Sequence, residues 1–303
     1  MNRSRMFALA IAALAPLAEA ASPAQGQVFV ANNGNWGIGE YDATTGATIN
    51  ASLDPDYFGG GIAVSGSSLF VANHVIGTIS EFTTSGALVN ASLVSGLNQP
   101  TAVAVSGSDL FVENLGDGTI GKYNAITGAT VNAPLVSGLT NSQVFIAVSG
   151  SDLYVMQDKG SPLHDTISKY STSGVLENDS MITGLVIPKA LAASGSDLFV
   201  SLPFQGIAEY TTSGNLVNSK LVPPLPDVCG IAASGPGLFV INFNGGTIGE
   251  YDATTGATIN ASLVSGLSNP AYIAVVTDVP EPGSLCLLAL GGGALWARRR
   301  KGS

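Results

Sequence analysis

Charged residues are scarce in this chain. Asp, Glu, Lys and Arg make up 11% of its 303 residues, whereas an average soluble domain has about 25%. A helical bundle or coiled coil is therefore excluded, because it needs many Glu, Lys, Arg and Leu residues at helical spacing. The hydrophobic content of 46% excludes wholesale disorder, and the 38 glycines indicate many turns. Together these features predict an all-β protein with many short strands.

Basic residues are almost absent between the two ends. Outside residues 1–20 and 280–303 there are five lysines, no arginine and 19 carboxylates, which gives this body a formal charge of −14. Such a body repels nucleic acid and anionic membrane surfaces, so we expect no nucleic-acid partner. Cysteine is equally rare. Cys229 lies in the body and Cys286 in the tail, so no disulfide is expected within the body, where Cys229 is predicted to be a small buried residue.

The first 20 residues have the three-part layout of a secretory signal peptide. Arg3 and Arg5 precede an apolar run from Phe7 to Leu17, and the small residues Ala18 and Ala20 frame a cleavage site. The alternative is a short membrane anchor or a core helix, but the run is shorter than the roughly 20 residues that span a bilayer. The sequence therefore predicts export, with cleavage near Ala20.

The C-terminal end also has the layout of a targeting segment. Val279-Pro280-Glu281-Pro282 is followed by an apolar stretch, 285–297, and then by Arg298, Arg299, Arg300 and Lys301. This order resembles the PEP-CTERM sorting signal of Gram-negative bacteria. The resemblance implies recognition by an exosortase-type processing enzyme, transient inner-membrane insertion through the tail, and delivery to the cell envelope, cell surface or exterior. The basic cluster would hold the C-terminus on the cytoplasmic side, and the alternative is a permanent single-span tail.

Four short patterns recur in one order with a period of about forty residues, as in repeat folds. The aromatic residue of a Leu-Phe-Val-like strand returns at spacings of 41, 41, 43, 45 and 40. An Ile-x-Glu/Lys-Tyr/Phe segment, a Thr/Ser-Gly turn and a short strand centred on alanine recur with it. Residues 38–53 and 248–263 are identical over sixteen positions, so these segments are copies of one unit.

Four antiparallel strands per unit and six units predict a six-bladed β-propeller over residues 21–279. The first unit lacks its alanine strand, and the sixth alanine strand is found at the end of the chain, at 273–275. We therefore expect the C-terminal strand to complete the first blade. The alternatives are a β-sandwich or a parallel β-helix. The repeat is similar to NHL-type propeller repeats, a resemblance that implies this fold but leaves function open, because such propellers include binding modules, lactonases and lyases.

A side-chain amide recurs just after the Leu-Phe-Val strand in five units: Asn32, Asn73, Asn114, Gln157 and Asn242. Such a ring could ligate Ca²⁺ or hydrogen-bond a sugar. The alternative is that each amide caps its own turn. His74, Asp158 and His164 fall in loops on the same predicted rim and could form a divalent metal site.

No catalytic residue, cofactor or metal is assigned, because the sequence contains no nucleophile elbow, phosphate loop or zinc motif. The sequence therefore favours an exported propeller that acts as a binding or structural module for a carbohydrate or protein ligand. The alternative is a metal-dependent lactonase or lyase that uses the loop face.

Overall fold

A computed structural model describes residues 26–54, 57, 59–140, 144–157 and 165–276. The predicted signal peptide, the sorting residues from Val279 to Arg300, and Asp158 and His164 lie outside these ranges. The described residues form 24 strands. Those of the first half are β1 (Gln27–Asn32), β2 (Gly37–Asp42), β3 (Thr48–Asp54), β4 (Ile62–Ser65), β5 (Ser68–Asn73), β6 (Thr78–Thr83), β7 (Leu88–Ser95), β8 (Pro100–Ser106), β9 (Asp109–Asn114), β10 (Thr119–Asn124), β11 (Thr130–Ser137) and β12 (Val144–Ser149).

The second half continues the same alternation of strands and short turns. Its strands are β13 (Asp152–Gln157), β14 (Asp165–Ser171), β15 (Leu176–Leu185), β16 (Ala190–Ser194), β17 (Asp197–Leu202), β18 (Gly206–Thr211), β19 (Leu216–Val222), β20 (Val228–Ser234), β21 (Gly237–Asn242), β22 (Thr247–Asp252), β23 (Thr258–Val264) and β24 (Pro270–Val276). None of the described residues lies in a helix long and apolar enough to cross a membrane.

The strands form six four-stranded antiparallel sheets, which are the blades of a propeller. Blade 1 has the strand order β24-β1-β2-β3, and blades 2 to 6 each use four consecutive strands, beginning with β4–β7. In blade 1, Phe29 pairs with Ala274 and Gln27 with Val276. The C-terminal strand therefore closes the first blade, which confirms the expectation from the order of the repeats.

The first strand of each blade lies at the axis, where the six first strands contact one another in a ring. The alanine of each first strand packs beside the branched side chain of the next blade's first strand, as Ala104 does with Ile146. Ala274 packs with Ile62 in the same way and completes the circle. A small residue opposite a large one lets neighbouring strands approach closely, which explains the alanine in all six units.

Burial is greatest in the second strands: the first strands at the axis are partly exposed, as in β20 and β24, and the outer strands are the most exposed. The second strands are buried on both faces, and Leu110, Phe111 and Val112 have no exposed area. The outer strands are exposed over their first five residues and buried only near their ends, as in β23. The Ser-Gly-Ser-Asp segments at 106–109, 149–152 and 194–197 form hairpin turns between first and second strands. Gly107 has the left-handed φ of 58° that such a turn requires.

Each third strand has a charged residue in its middle, and this residue lies beside the first residue of the second strand of the same blade. In blade 3, Lys122 Nζ lies 2.8 Å from Asp109 Oδ2, and in blade 4, Lys169 Nζ lies 2.9 Å from Asp152 Oδ2. Blade 5 has Glu209 in this position, and burial together with the charge of Asp197 raises the pKa of Glu209. The same position of the repeat therefore forms an ion pair in blades 3 and 4 and brings two carboxylates together in blade 5.

Candidate functional site

The propeller has two faces, and the chemistry predicted from the sequence falls on one of them. We call this the loop face. It carries the loops from the second to the third strands and the connections between blades. The turn face carries the remaining hairpin turns. Because each second strand ends at the loop face, all the described residues of the predicted amide set lie just beneath it.

The predicted amides are buried within their own blades. Asn32, Asn73, Asn114 and Gln157 are at most 6% exposed, and Asn242 is partly exposed. Each is the last residue of a second strand, and Asn32 lies on the same side of β1 as Val30, because side chains alternate along a strand. The amides therefore lie among core residues instead of projecting from the loop face.

The partners of these amides depend on the third strand. Asn32 hydrogen-bonds the hydroxyl of Tyr41, whose ring folds back over Gly39. In blade 2 the glycine is replaced by Ser80 and the tyrosine by phenylalanine. There Asn73 Nδ2 donates to Ser80 Oγ at 2.8 Å. The amide thus joins the second strand to the third in both arrangements.

The turn-capping interpretation fits Asn242, whose Oδ1 accepts a hydrogen bond from the backbone N–H of Gly245 at 3.0 Å. The oxygens Oδ1 of Asn32 and Asn114 are buried and have no hydrogen-bond partner in the described part of the chain. Ligand binding by the amide ring stays a prediction.

Of the three predicted metal-site residues, the structure describes His74. It is partly buried, and its Nδ1 accepts no hydrogen bond within the described ranges. Across the described ranges, no group of three or more His, Cys, Asp or Glu side chains is close enough to hold a metal ion.

The central channel is apolar where the first strands line it. It encloses a cavity of about 120 Å³, and each blade contributes a branched side chain: Ile62, Val103, Ile146, Leu191, Ile231 and Ile273. Cys229 also faces this cavity, and burial raises the pKa of its thiol to about 12. The thiol is therefore protonated at neutral pH and unreactive.

One carboxyl group is buried near the loop face in blade 3. Glu113 has no exposed area, and it accepts hydrogen bonds from the Thr101 hydroxyl and from the backbone amides of Thr101 and Ala102. Its other oxygen, Oε1, has no partner within the described residues. Burial raises the pKa of Glu113 to about 7. The corresponding positions in the other blades are uncharged: Ala31, Ala72, Met156, Ser201 and Ile241.

A groove of about 530 Å³ lies between blades 5 and 6 at the loop face. Its walls are Pro203, Phe204, Pro224, Leu225 and Pro226, and Asp227 and Asn244 form its polar part. These residues are not among those predicted from the sequence to bind a ligand. A signal was present, however, because Leu202 interrupts the series of amides and three prolines occur within residues 223–226.

Comparisons with known proteins agree with this architecture. Residues 278–301 match the model of the PEP-CTERM protein-sorting motif. The fold is similar to that of a chain in a nidogen/laminin complex, with a TM-score of 0.69 and 13% identity over 84% of this chain and 99% of that chain. It is also similar to a gluconolactonase from Xanthomonas campestris, with a TM-score of 0.53 and 14% identity over 70% of this chain and 77% of that chain.

At these identities the structural similarities establish the fold alone. A search of curated proteins gave no significant match. The sorting motif carries more information, because it implies recognition by an exosortase-type enzyme, export and sorting to the cell envelope. The chain is thus a six-bladed β-propeller that carries a PEP-CTERM protein-sorting motif at its C-terminus.

Proposed function

We propose that the mature protein is a non-enzymatic binding module of the cell envelope or extracellular matrix, which holds its ligand on the loop face. The observation that carries this proposal is the exposure of large apolar side chains in the loops of that face. Trp36 is 56% exposed, Val75 74% and Phe204 89%. Single exposed apolar side chains are common on protein surfaces. The loops of this face, however, carry five of them, these three together with Ile76 and Ile187, against only Ile126 and Val175 in the described loops of the turn face.

The acidic body, the predicted signal peptide and the C-terminal sorting segment fit this role. Removal of the predicted signal peptide at Ala20 and of the tail near Pro282 would leave a body with a charge of −14, which stays soluble after release from the membrane. The basic residues of the ends would then act only in sorting.

The alternative function is a metal-dependent lactonase or lyase. It would need a set of oxygen or nitrogen ligands at the mouth of the channel. The described side chains that line the channel are aliphatic apart from Phe145, Cys229 and Tyr272, and include no carboxylate or histidine. Metal-dependent hydrolysis or elimination with a panel of lactones and esters would favour this alternative, provided that a His74→Ala variant loses the activity.

Processing is tested by the intact mass of the protein recovered from its producing bacterium. We expect a mass that lacks residues 1–20 and the residues after about Pro282. A variant with Arg298, Arg299 and Arg300 changed to Gln should keep its tail, because the basic cluster that orients it is lost. Wild-type protein that still contains Arg298 to Lys301 would contradict the sorting part of the proposal.

Binding is tested by co-sedimentation of the mature protein with isolated cell envelopes. We expect Trp36→Ser and Val75→Ser to reduce binding at least fivefold. Ile126→Ser is the matched control, because Ile126 is 76% exposed but lies on the turn face. If all three variants bind the envelopes as strongly as the wild type does, a ligand site on the loop face is contradicted.

A further inference from the structure

We propose that the groove between blades 5 and 6 is a subsite for a neutral saccharide. This inference rests on the proposed binding function. It names the part of the loop face that binds the ligand and the chemical class of that ligand. The groove combines one exposed aromatic ring, proline walls and a carboxylate–amide pair in a volume of about 530 Å³. Small-ligand sites have volumes of about 300 to 1,000 Å³ and a few convergent polar groups on apolar walls.

Phe204 supplies the stacking surface. It is 89% exposed, the largest exposed fraction among the large apolar side chains that the structure describes. Its φ is 67°, a left-handed conformation that costs a non-glycine residue free energy. Pro203 fixes the backbone just before it, and the N–H of Gln205 donates to the carbonyl of Leu202 at 3.0 Å. The backbone that presents the ring to solvent is therefore fixed before any ligand arrives, which lowers the entropy cost of binding.

Asp227 and Asn244 supply the polar recognition. Asn244 Nδ2 donates to Asp227 Oδ2 at 2.6 Å, so each side chain orients the other. Asp227 is anchored by its backbone, whose carbonyl accepts a hydrogen bond from the N–H of Phe243 at 3.0 Å. The hydrogen bond between the two side chains uses one carboxylate oxygen of Asp227 and one amide hydrogen of Asn244. The pair still offers acceptors and a donor, the combination that matches neighbouring hydroxyl groups on a sugar ring.

The ring of a pyranose fits Phe204 for an electrostatic reason. The face of an aromatic ring is negative, and the C–H bonds on one face of a sugar carry partial positive charge. A planar apolar side chain beside hydrogen-bonding groups therefore matches a ligand that has a C–H face and a hydroxyl edge. Pro224 and Pro226 add further apolar surface to the lining of the groove.

The charge of the protein selects a neutral sugar over an anionic one. The body carries −14 and the groove itself contains the carboxylate of Asp227, so a uronate or sulfated saccharide is repelled. A proline-rich peptide is less well matched, since grooves that bind it are lined by aromatic side chains, whereas Phe204 is the one aromatic residue among those lining this groove in the described structure.

The test is saturation-transfer NMR on the mature protein recovered from producing cells, with cellotetraose and mannotetraose as neutral probes. Tetragalacturonate is the anionic probe and a deca-proline peptide is the competing class. We expect at least one neutral tetrasaccharide to bind, with at least tenfold weaker affinity in Phe204→Ala and in Asp227→Asn. Ile126→Ala, an exposed apolar truncation on the turn face, should bind as the wild type does.

Three results would overturn the inference: no binding of either neutral tetrasaccharide, binding that both groove variants retain, or preferential binding of tetragalacturonate or the peptide. These results differ from failure of the proposed function, which envelope co-sedimentation and its Trp36 and Val75 variants test separately. If co-sedimentation persists while the neutral sugars fail, the loop face binds another ligand and the groove assignment alone is wrong.

Discussion

The buried carboxyl of Glu113 makes the stability of the propeller depend on pH in a specific way. The pKa of Glu113 is about 7 in the folded protein, against an ordinary value of 4.5. Below pH 4.5 the group is protonated in both the folded and the unfolded states, and above pH 7 it is ionised in both. Between these values the folded state holds the proton more tightly, so the free energy of unfolding decreases as pH rises.

The magnitude follows from the gap between the two pKa values. About 2.5 pH units at about 1.36 kcal/mol each correspond to a loss of about 3 kcal/mol between pH 4.5 and pH 7. Glu113→Gln removes the titration while keeping the shape of the side chain. Glu113→Met introduces the residue that blade 4 carries at this position, Met156, and should have the same effect on the pH dependence.

The assay is urea unfolding followed by circular dichroism from pH 4.5 to pH 8. The quantity of interest is the free energy of unfolding of the wild type minus that of Glu113→Gln at each pH, because contributions from all other carboxylates cancel in this difference. We expect it to fall by about 3 kcal/mol across the range. A difference that stays constant within about 0.5 kcal/mol would refute the reasoning, because Glu113 would then titrate at its ordinary value.

Two further predictions concern the repeat. Glu209→Lys should raise the free energy of unfolding by about 0.5 to 1 kcal/mol, because it replaces the repulsion by Asp197 with the ion pair of blades 3 and 4; Glu250→Lys, which faces a glycine, is the control and should show no such gain in urea titrations. Gly256→Ala should lower the free energy of unfolding by at least about 1 kcal/mol more than Gly107→Ala does, which thermal unfolding will show as a lower melting temperature. Both glycines have positive φ, but only at 256 would the new methyl group meet the backbone of the neighbouring blade. Equal stabilities within either pair would count against these explanations.

The candidate site was less accessible from the sequence than the fold. Burial of Asn32 follows from its place two residues after Val30 in a strand, so period-two alternation applied to the amide set would have indicated it. The groove is different, because it joins residues 203–204, 224–227 and 244, which come from three separate loops. Their proximity depends on how blade 5 packs against blade 6.

The sequence by itself determined the number of blades, the four strands in each and the closure of the first blade by the last strand. These features are periodic, and a repeat of about forty residues records them directly along the chain. Only the tertiary structure decided that Glu113 is buried against Thr101 and Ala102 and that Phe204 lines the same groove as Asp227 and Asn244. Burial and proximity between blades arise from contacts among residues about twenty to forty positions apart, and a local pattern does not encode such contacts.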